Sequence, residues 1–114
     1  MKEEAVQVKN RVQLFGNIGK MPAIRTTASG RKMATFSIAT SEVYYRAGQP
    51  EFETQWHFAV AWGKVATDIE SSIKPGTKVT IEGKLSNRNY IDKNGQKKYI
   101  TQVIVDKFEV FNND

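Results

Sequence analysis

Alternation of apolar and polar side chains is the dominant pattern in this chain, and it is clearest over residues 53–62. Successive side chains of a β-strand point to opposite faces, so a period of two predicts a strand. One face is aromatic, and it is either buried core or a surface on which a flat molecule stacks. The aromatic face comprises Thr54, Trp56, Phe58, Val60 and Trp62, and the other face comprises Glu53, Gln55, His57, Ala59 and Ala61.

Two further strands are predicted before this one. The first begins at Val12 and ends near Gly16, where glycines favour a bulge or a bend. The second covers residues 34–45, and the break at 48–50 predicts an antiparallel hairpin with the strand at 53–62. The polar stretch from Arg25 to Lys32 is predicted to be a loop with a turn at Ser29-Gly30.

The second half of the chain predicts one helix and one long hairpin. Apolar residues at helical spacing over 65–73, stopped by Pro75-Gly76, predict a helix of about ten residues. A strand follows over residues 79–90, and Asn94-Gly95 predicts a two-residue turn into the last strand. That turn would set Tyr90 opposite Tyr99, Arg88 opposite Thr101 and Leu85 opposite Ile104.

The order of elements predicts the fold class. Short strands joined by turns, with a glycine bend in the first, favour a small closed barrel over a sandwich. We therefore predict an all-β protein: a five-stranded OB-fold Greek-key barrel with one short helix between strands 3 and 4. Residues 1–114 form a single domain, in which 1–9 are expected to be frayed and 112–114 to form a short tail.

Composition narrows the class of partner. The net charge of +5 and the pI near 9.5 favour an acidic or polyanionic partner, although a basic surface can also serve solubility alone. The chain has no apolar run near the ~20 residues of a membrane span and no secretory signal. It also has no cysteine, which excludes disulfides and cysteine-ligated metals and fits a reducing compartment.

Catalytic motifs are not evident. His57 is the only histidine, and it lies on a strand between two aromatic residues, where a structural role is the usual one. No glycine-rich phosphate loop, nucleophile motif or set of metal ligands can be assembled. We expect no catalytic residues, no metal site and no cofactor.

Aromatic and basic residues occur together in the strands and hairpins. Single-stranded nucleic acid needs this mixture, because bases stack on aromatic rings and phosphates need cations along their path. A core role stays competitive for Phe58 and Val60, whereas Trp56, Trp62 and Tyr90 suit binding better. The set comprises Tyr44, Tyr45, Trp56, Trp62, Tyr90 and Tyr99, with Arg46, Lys64, Lys84, Arg88, Lys93, Lys97 and Lys98 near them.

Several linked motifs resemble those of bacterial single-stranded DNA-binding proteins, in the same order and spacing from about Asn10 to Phe111. The resemblance is carried by residues 10–19 (NRVQLFGNIG), 34–41 (ATFSIATS), 54–57 (TQWH), 62–64 (WGK), 74–77 (KPGT), 81–85 (IEGKL) and 90–96 (YIDKNGQ).

This resemblance implies an OB-fold that assembles into a homotetramer, with single-stranded DNA wrapped over it. It implies base stacking on Tyr44, Trp56, Trp62 and Tyr90, where tyrosine replaces the common tryptophan at the first and last positions and Trp62 replaces a common phenylalanine. It implies phosphate contacts from Arg11, Lys64 and Arg88 and a subunit-interface position for His57. It also implies a cytoplasmic, nucleoid-associated protein with no membrane partner.

The sequence departs from the family at its end. Family members usually continue into a linker and an acidic tip that recruits replication and repair proteins, whereas this sequence stops at Asp114. It is therefore either a short member without that tail, for which tail-mediated recruitment is not expected, or a truncated one.

The leading hypothesis is sequence-independent binding and protection of single-stranded DNA during replication, recombination and repair. The alternative is a primosome-type OB-fold accessory protein that acts mainly through protein partners. An RNA- or tRNA-binding OB domain comes third, and an enzyme last.

Overall fold

The computed structural model describes residues 9–111, so the predicted short tail and nearly all of the predicted frayed start lie outside the described residues. Six strands and one helix follow each other along the chain. They are β1 (Val12–Ile18), β2 (Ala23–Thr26), β3 (Lys32–Arg46), β4 (Gln49–Trp62), α1 (Gly63–Ser72), β5 (Lys78–Ile91) and β6 (Lys97–Phe111).

Five of the strands close into a barrel. The sheet runs β1-β5-β6-β4-β3-β2, and β1 also pairs with β3, which closes the ring. Closure requires a close approach at Gly16, where an added Cβ would lie 2.0 Å from the carbonyl oxygen of Ala39. The predicted all-β OB-fold barrel is confirmed, with the helix in the predicted place between the third and fourth barrel strands.

The extra strand β2 corrects the ends of the predicted loop, because Arg25 belongs to β2 and Lys32 to β3, whereas the predicted turn at Ser29-Gly30 is present. Residues 23–26 pair antiparallel with residues 32–35 of β3, and a turn closed by a 2.9 Å hydrogen bond from the Gly30 amide to the Thr27 carbonyl joins the two strands. Half-buried Ile24 packs against the core from this strand. Cross-strand pairing and the burial of one side chain therefore outweigh the polar composition that predicted a loop.

The barrel is filled by the inward faces of its strands and by one side of α1. Ile38, Ile69 and Ile81 are completely or almost completely buried, and Val103 and Val105 pack with them. On β4 the inward residues are Ala59 and Ala61, both with no exposed surface. Small side chains suit the inside of a narrow barrel, which is why the aromatic side chains of this strand face outward.

Two long hairpins project from the barrel. β3 and β4 pair over their whole length and turn at Ala47-Gly48, and β5 and β6 pair from Lys78 to Ile91. Side chains from Ser41 to Pro50 are all exposed. Both hairpins therefore extend the sheet beyond the core as two-stranded arms.

The register of the β5–β6 hairpin differs by one residue from the predicted one. Asp92 Oδ1 accepts hydrogen bonds from the amides of Asn94 and Gln96, both at 2.9 Å, so the loop has three residues instead of two. Of these only Gly95 has a positive φ, of 78°. The arrangement is a three-residue hairpin loop with glycine in the left-handed position.

This register changes which side chains are neighbours. Tyr90 lies opposite Lys98, Arg88 opposite Ile100 and Leu85 opposite Val103, so the three predicted pairs are wrong. Tyr99 lies opposite Asn89 instead. Since faces alternate along a strand, Tyr90 and Tyr99 project from opposite sides of the arm.

Candidate nucleic-acid interface

The outward face of β4 forms the floor of a groove on the barrel surface. Its volume is about 530 Å³, within the range of ligand sites. β2 and β3 form one wall, and the β5–β6 arm supplies the other. The lining residues are Ala23, Arg25, Thr27, Met33, Thr35, Phe58, Val60, Trp62, Arg88 and Gln102. The groove thus places aromatic rings beside guanidinium groups.

Trp56 lies on the same face of β4, beyond the groove, and its side chain is 62% exposed. The ring rests on Gly19, where an added Cβ would come within 2.7 Å of Trp56 Cζ3. One edge of the indole is therefore fixed by the chain between β1 and β2, while most of its surface stays open.

Trp62 is half-buried, and a cation covers part of its ring. The guanidinium carbon of Arg31 lies 4.4 Å from the ring centroid. Arg31 belongs to the turn between β2 and β3, which the sequence prediction treated as a polar loop without a role. Only the pairing of β2 with β3 brings this turn over Trp62, so sequence spacing carried no signal for the contact.

Tyr90 and Arg88 share one face of the β5–β6 arm with Gln102, which lines the groove. Tyr90 is 43% exposed. Gln102 is almost fully buried, and its Oε1 has no hydrogen-bond partner among the described residues. The arm therefore presents an aromatic ring, a cation and a buried amide on the same face.

Tyr44 lies on the other face of the β3–β4 arm from Trp56. It pairs with Glu51, whereas Tyr45 pairs with Pro50 on the Trp56 face. Arg46 packs 5.8 Å from the Tyr44 ring centroid and forms a 3.3 Å ion pair with Glu51. The pairing thus places two exposed rings on the face that carries Trp56: Tyr45, which belongs to the aromatic set of the sequence analysis, and Phe52, which sequence reasoning did not select.

Two of the residues predicted to contact phosphate, Arg11 and Lys64, are already paired with carboxylates. Arg11 donates to Asp106 at 2.7 Å and lies 3.8 Å from Glu82, while Lys64 lies 3.3 Å from Asp68 one helical turn away. The hydrogen bond that Arg11 donates to Asp106 raises the pKa of Arg11, and the same bond lowers the pKa of Asp106. Arg88, by contrast, forms no ion pair with the described residues.

These carboxylates line a second, separate cavity of about 430 Å³ between α1 and strands β1, β5 and β6. Its walls carry more acidic than basic groups, which disfavours phosphate there. The lining residues are Gln13, Val65, Asp68, Thr80, Glu82, Asp106, Lys107, Phe108 and Glu109.

His57 occupies the small-residue face of β4 at the edge of the core. It is half-buried, and its Nε2 lies 2.9 Å from the hydroxyl oxygen of Thr40 on β3. This geometry is compatible with a structural histidine held by a strand neighbour.

Within residues 9–111 there is no group of three or more histidine, cysteine, aspartate or glutamate side chains placed to hold a metal ion. The one helix in this part of the chain is too short to cross a membrane.

Comparison with known proteins gives concordant matches. Residues 9–111 match the model of the single-strand binding protein family. The chain is 42% identical over 97 residues to single-stranded DNA-binding protein 1 of Chlorobaculum tepidum, covering 83% of this chain and 60% of that protein. It is 34% identical over 103 residues to single-stranded DNA-binding protein 1 of Xylella fastidiosa, covering 89% of this chain and 76% of that one.

The fold matches a solved structure of Plasmodium falciparum SSB in complex with ssDNA, with a TM-score of 0.82 and 28% sequence identity. The match covers 98% of this chain and 100% of the other.

Proposed function

Because the chain belongs to the single-strand binding protein family, we propose that it binds single-stranded DNA without sequence preference. The observation that carries this proposal is the groove in which Phe58 and Trp62 lie beside Arg25 and Arg88. Base stacking on an aromatic ring is worth about 1–3 kcal/mol per base whatever the base, and the arginines supply cations for the backbone. Strand protection during replication, recombination and repair follows from such binding.

The proposed path runs along the outward face of β4. Exposed Trp56 stacks one base, Trp62 contacts another in the groove, and Tyr90 stacks a third on the arm. Tyr44 lies on the opposite face of its hairpin, so it joins this path only where the strand crosses the hairpin edge. Tyr45 lies on the face that carries Trp56, so the strand can contact it without crossing that edge.

Phosphate contacts are assigned first to the arginines of the groove. Arg25 and Arg88 line it and have no ion-pair partner within residues 9–111. Arg11 and Lys64 remain proposed contacts, but a phosphate there must compete with Asp106 and with Asp68. Their contribution to affinity should therefore be smaller than that of Arg88.

We also propose that the chain assembles into a homotetramer, with His57 near a subunit interface. In the described residues, positions 12–16 of β1 pair with β5 on one side only, and an open strand edge is a template for pairing with another chain. Phe15 and Phe111, each 50% exposed, form an aromatic pair with centroids 5.0 Å apart outside the groove. The mass of the free protein tests this: four times the 12.9 kDa chain mass is expected, and a monomer would refute it.

The two sequence relatives named above are from bacteria, so we place this function in the cytoplasm, where bacterial DNA is exposed. The direct test is titration of poly-dT into the protein at low salt while tryptophan fluorescence is recorded. Stacking on Trp56 or Trp62 should quench the emission, and added salt should reverse the binding. Unchanged emission together with no shift of labelled poly-dT in a gel would refute the proposal.

A further inference from the structure

We propose that Arg31 is a further DNA-binding residue: stacked on Trp62, its guanidinium donates hydrogen bonds to a phosphate of the strand in the groove. This inference rests on the proposed function and adds a contact that the sequence motifs do not include. It also gives Trp62 a second role, as the support that holds a cation at the edge of the groove.

The contact with Trp62 orients the guanidinium. Its carbon lies 4.4 Å from the ring centroid, within cation–π distance. Arginine has five N–H donors, so a guanidinium held over one face of the ring keeps the donors that point away from the ring available. A phosphate can therefore be bound without breaking the stack.

The turn that carries Arg31 is held by its own hydrogen bonds. The Thr27 amide donates to the Arg31 carbonyl at 2.8 Å, and the Arg31 amide donates to Thr27 Oγ1 at 3.2 Å. Thr27 also lines the groove. The backbone of Arg31 is thus fixed relative to the groove before any ligand arrives, which lowers the entropic cost of the contact.

The charge of Arg31 is uncompensated. Within residues 9–111 no carboxylate lies within ion-pair distance of it, whereas its neighbour Lys32 is paired with Glu70 and Arg11 with Asp106. An exposed cation beside a groove that also contains Arg25 and Arg88 favours an anion at that edge. The anion supplied by the proposed ligand is the DNA phosphate.

The test measures binding of a short labelled dT oligonucleotide to Arg31→Met, Arg31→Lys and wild type over a range of salt. Arg31→Met should weaken binding roughly three- to tenfold at low salt, the range of one hydrogen bond. It should also reduce the slope of log affinity against log salt by about 0.7, the value for one phosphate on a single strand. Arg31→Lys should keep the slope but bind more weakly than wild type, because lysine cannot reproduce the planar stack.

Lys107→Met is the matched control, since it removes one positive charge from the acidic cavity instead of from the groove. An unchanged slope for Lys107→Met and a reduced slope for Arg31→Met would support the inference. An unchanged slope for Arg31→Met, or equal reductions in both variants, would refute it while leaving the proposed function intact. Failure of the wild type to bind would instead refute the proposed function.

A measurement without DNA tests the stack alone. The chain has two tryptophans, so a Trp56→Phe background leaves Trp62 as the only tryptophan, which is excited selectively beyond the absorption of tyrosine. Adding Arg31→Met to that background should shift the Trp62 emission, because its ring loses the covering cation. Identical spectra would show that Arg31 does not occupy the ring, and the inference would fail.

Discussion

Trp56→Ala should weaken DNA binding while the protein remains folded. Trp56 is 62% exposed, so the protein covers about two fifths of its side chain. A tryptophan buries at most ~250 Å² when covered, and two fifths of that at ~25 cal/mol per Å² gives an upper limit of about 2.5 kcal/mol. Since domains of this kind have roughly 5–15 kcal/mol of stability, the variant should remain folded.

The expected loss of DNA-binding free energy is similar in size to this limit on the loss of stability, but a DNA-binding assay measures it separately. Loss of one stacked base costs about 1–3 kcal/mol, or roughly 5- to 150-fold in dissociation constant. Anisotropy of a labelled dT oligonucleotide measures it without relying on tryptophan emission. Trp56→Phe keeps a stacking ring and should lose much less affinity, so the two variants distinguish stacking from simple surface loss.

Gly19→Ala is the companion variant, because it keeps Trp56 but moves the ring. The new Cβ would lie 2.7 Å from Trp56 Cζ3, which is closer than two non-bonded carbon atoms approach each other in proteins. The contacted edge of the indole therefore has to shift. We expect weaker DNA binding and altered tryptophan emission with little loss of stability. Wild-type affinity in folded Trp56→Ala would refute the stacking role, whatever the result for Gly19→Ala.

Three other predictions follow from particular contacts. Tyr90→Ala should weaken dT binding about 5-fold or more. Tyr99→Ala should change it much less, because Tyr99 lies on the opposite face of the same arm. Equal losses of affinity in the two variants would contradict the placement of these tyrosines on opposite faces. Ala47→Asn should raise the free energy of unfolding, measured in urea, by about 0.5–1 kcal/mol, because Ala47 has a φ of 53° that asparagine tolerates better than alanine. An unchanged free energy of unfolding would count against backbone strain at Ala47. Arg11 holds the pKa of Asp106 below its ordinary value of 3.8, so the pair stabilises the fold above about pH 4, and this contribution is lost as pH falls through the lower folded-state pKa. Asp106→Asn should therefore lose less stability than wild type between pH 5 and pH 2 in urea unfolding, and parallel losses would exclude a contribution from this pair.

The barrel could be predicted because each element has a local signature. Alternation over β3, β4 and β5 reflects one buried face, and the spacing of Val65, Ala66, Ile69 and Ile73 reflects the buried side of α1. Alternation left the aromatic face of β4 open between core and surface, and the basic residues near it favoured the surface for Trp56. The fold adds the physical reason, since a narrow barrel accepts Ala59 and Ala61 inside but not two indoles. Local pattern and burial point in the same direction for these segments.

The hairpin register could not be predicted from Asn94-Gly95, because a side chain upstream determines the loop. Asp92 Oδ1 accepts from two backbone amides and lengthens the loop to three residues. A shift by one residue reverses the faces, so the predicted Tyr90–Tyr99 pair becomes two side chains on opposite surfaces. Strand β2 and the Arg31–Trp62 contact were missed for a related reason: both depend on pairing with β3, which the polar composition of that segment does not reveal.

The distribution of charge is also a tertiary property, and it makes the binding hypothesis more specific. The net charge of +5 suggested an anionic partner but gave no location. In the fold, Arg11 and Lys64 are paired with carboxylates of the acidic cavity, while Arg25, Arg31 and Arg88 at the groove have no such partners within residues 9–111. A phosphate at Arg11 or Lys64 must therefore compete with the carboxylate already paired with that side chain. The groove therefore combines these arginines with aromatic rings, so stacking and electrostatics favour the same path for a nucleic-acid strand.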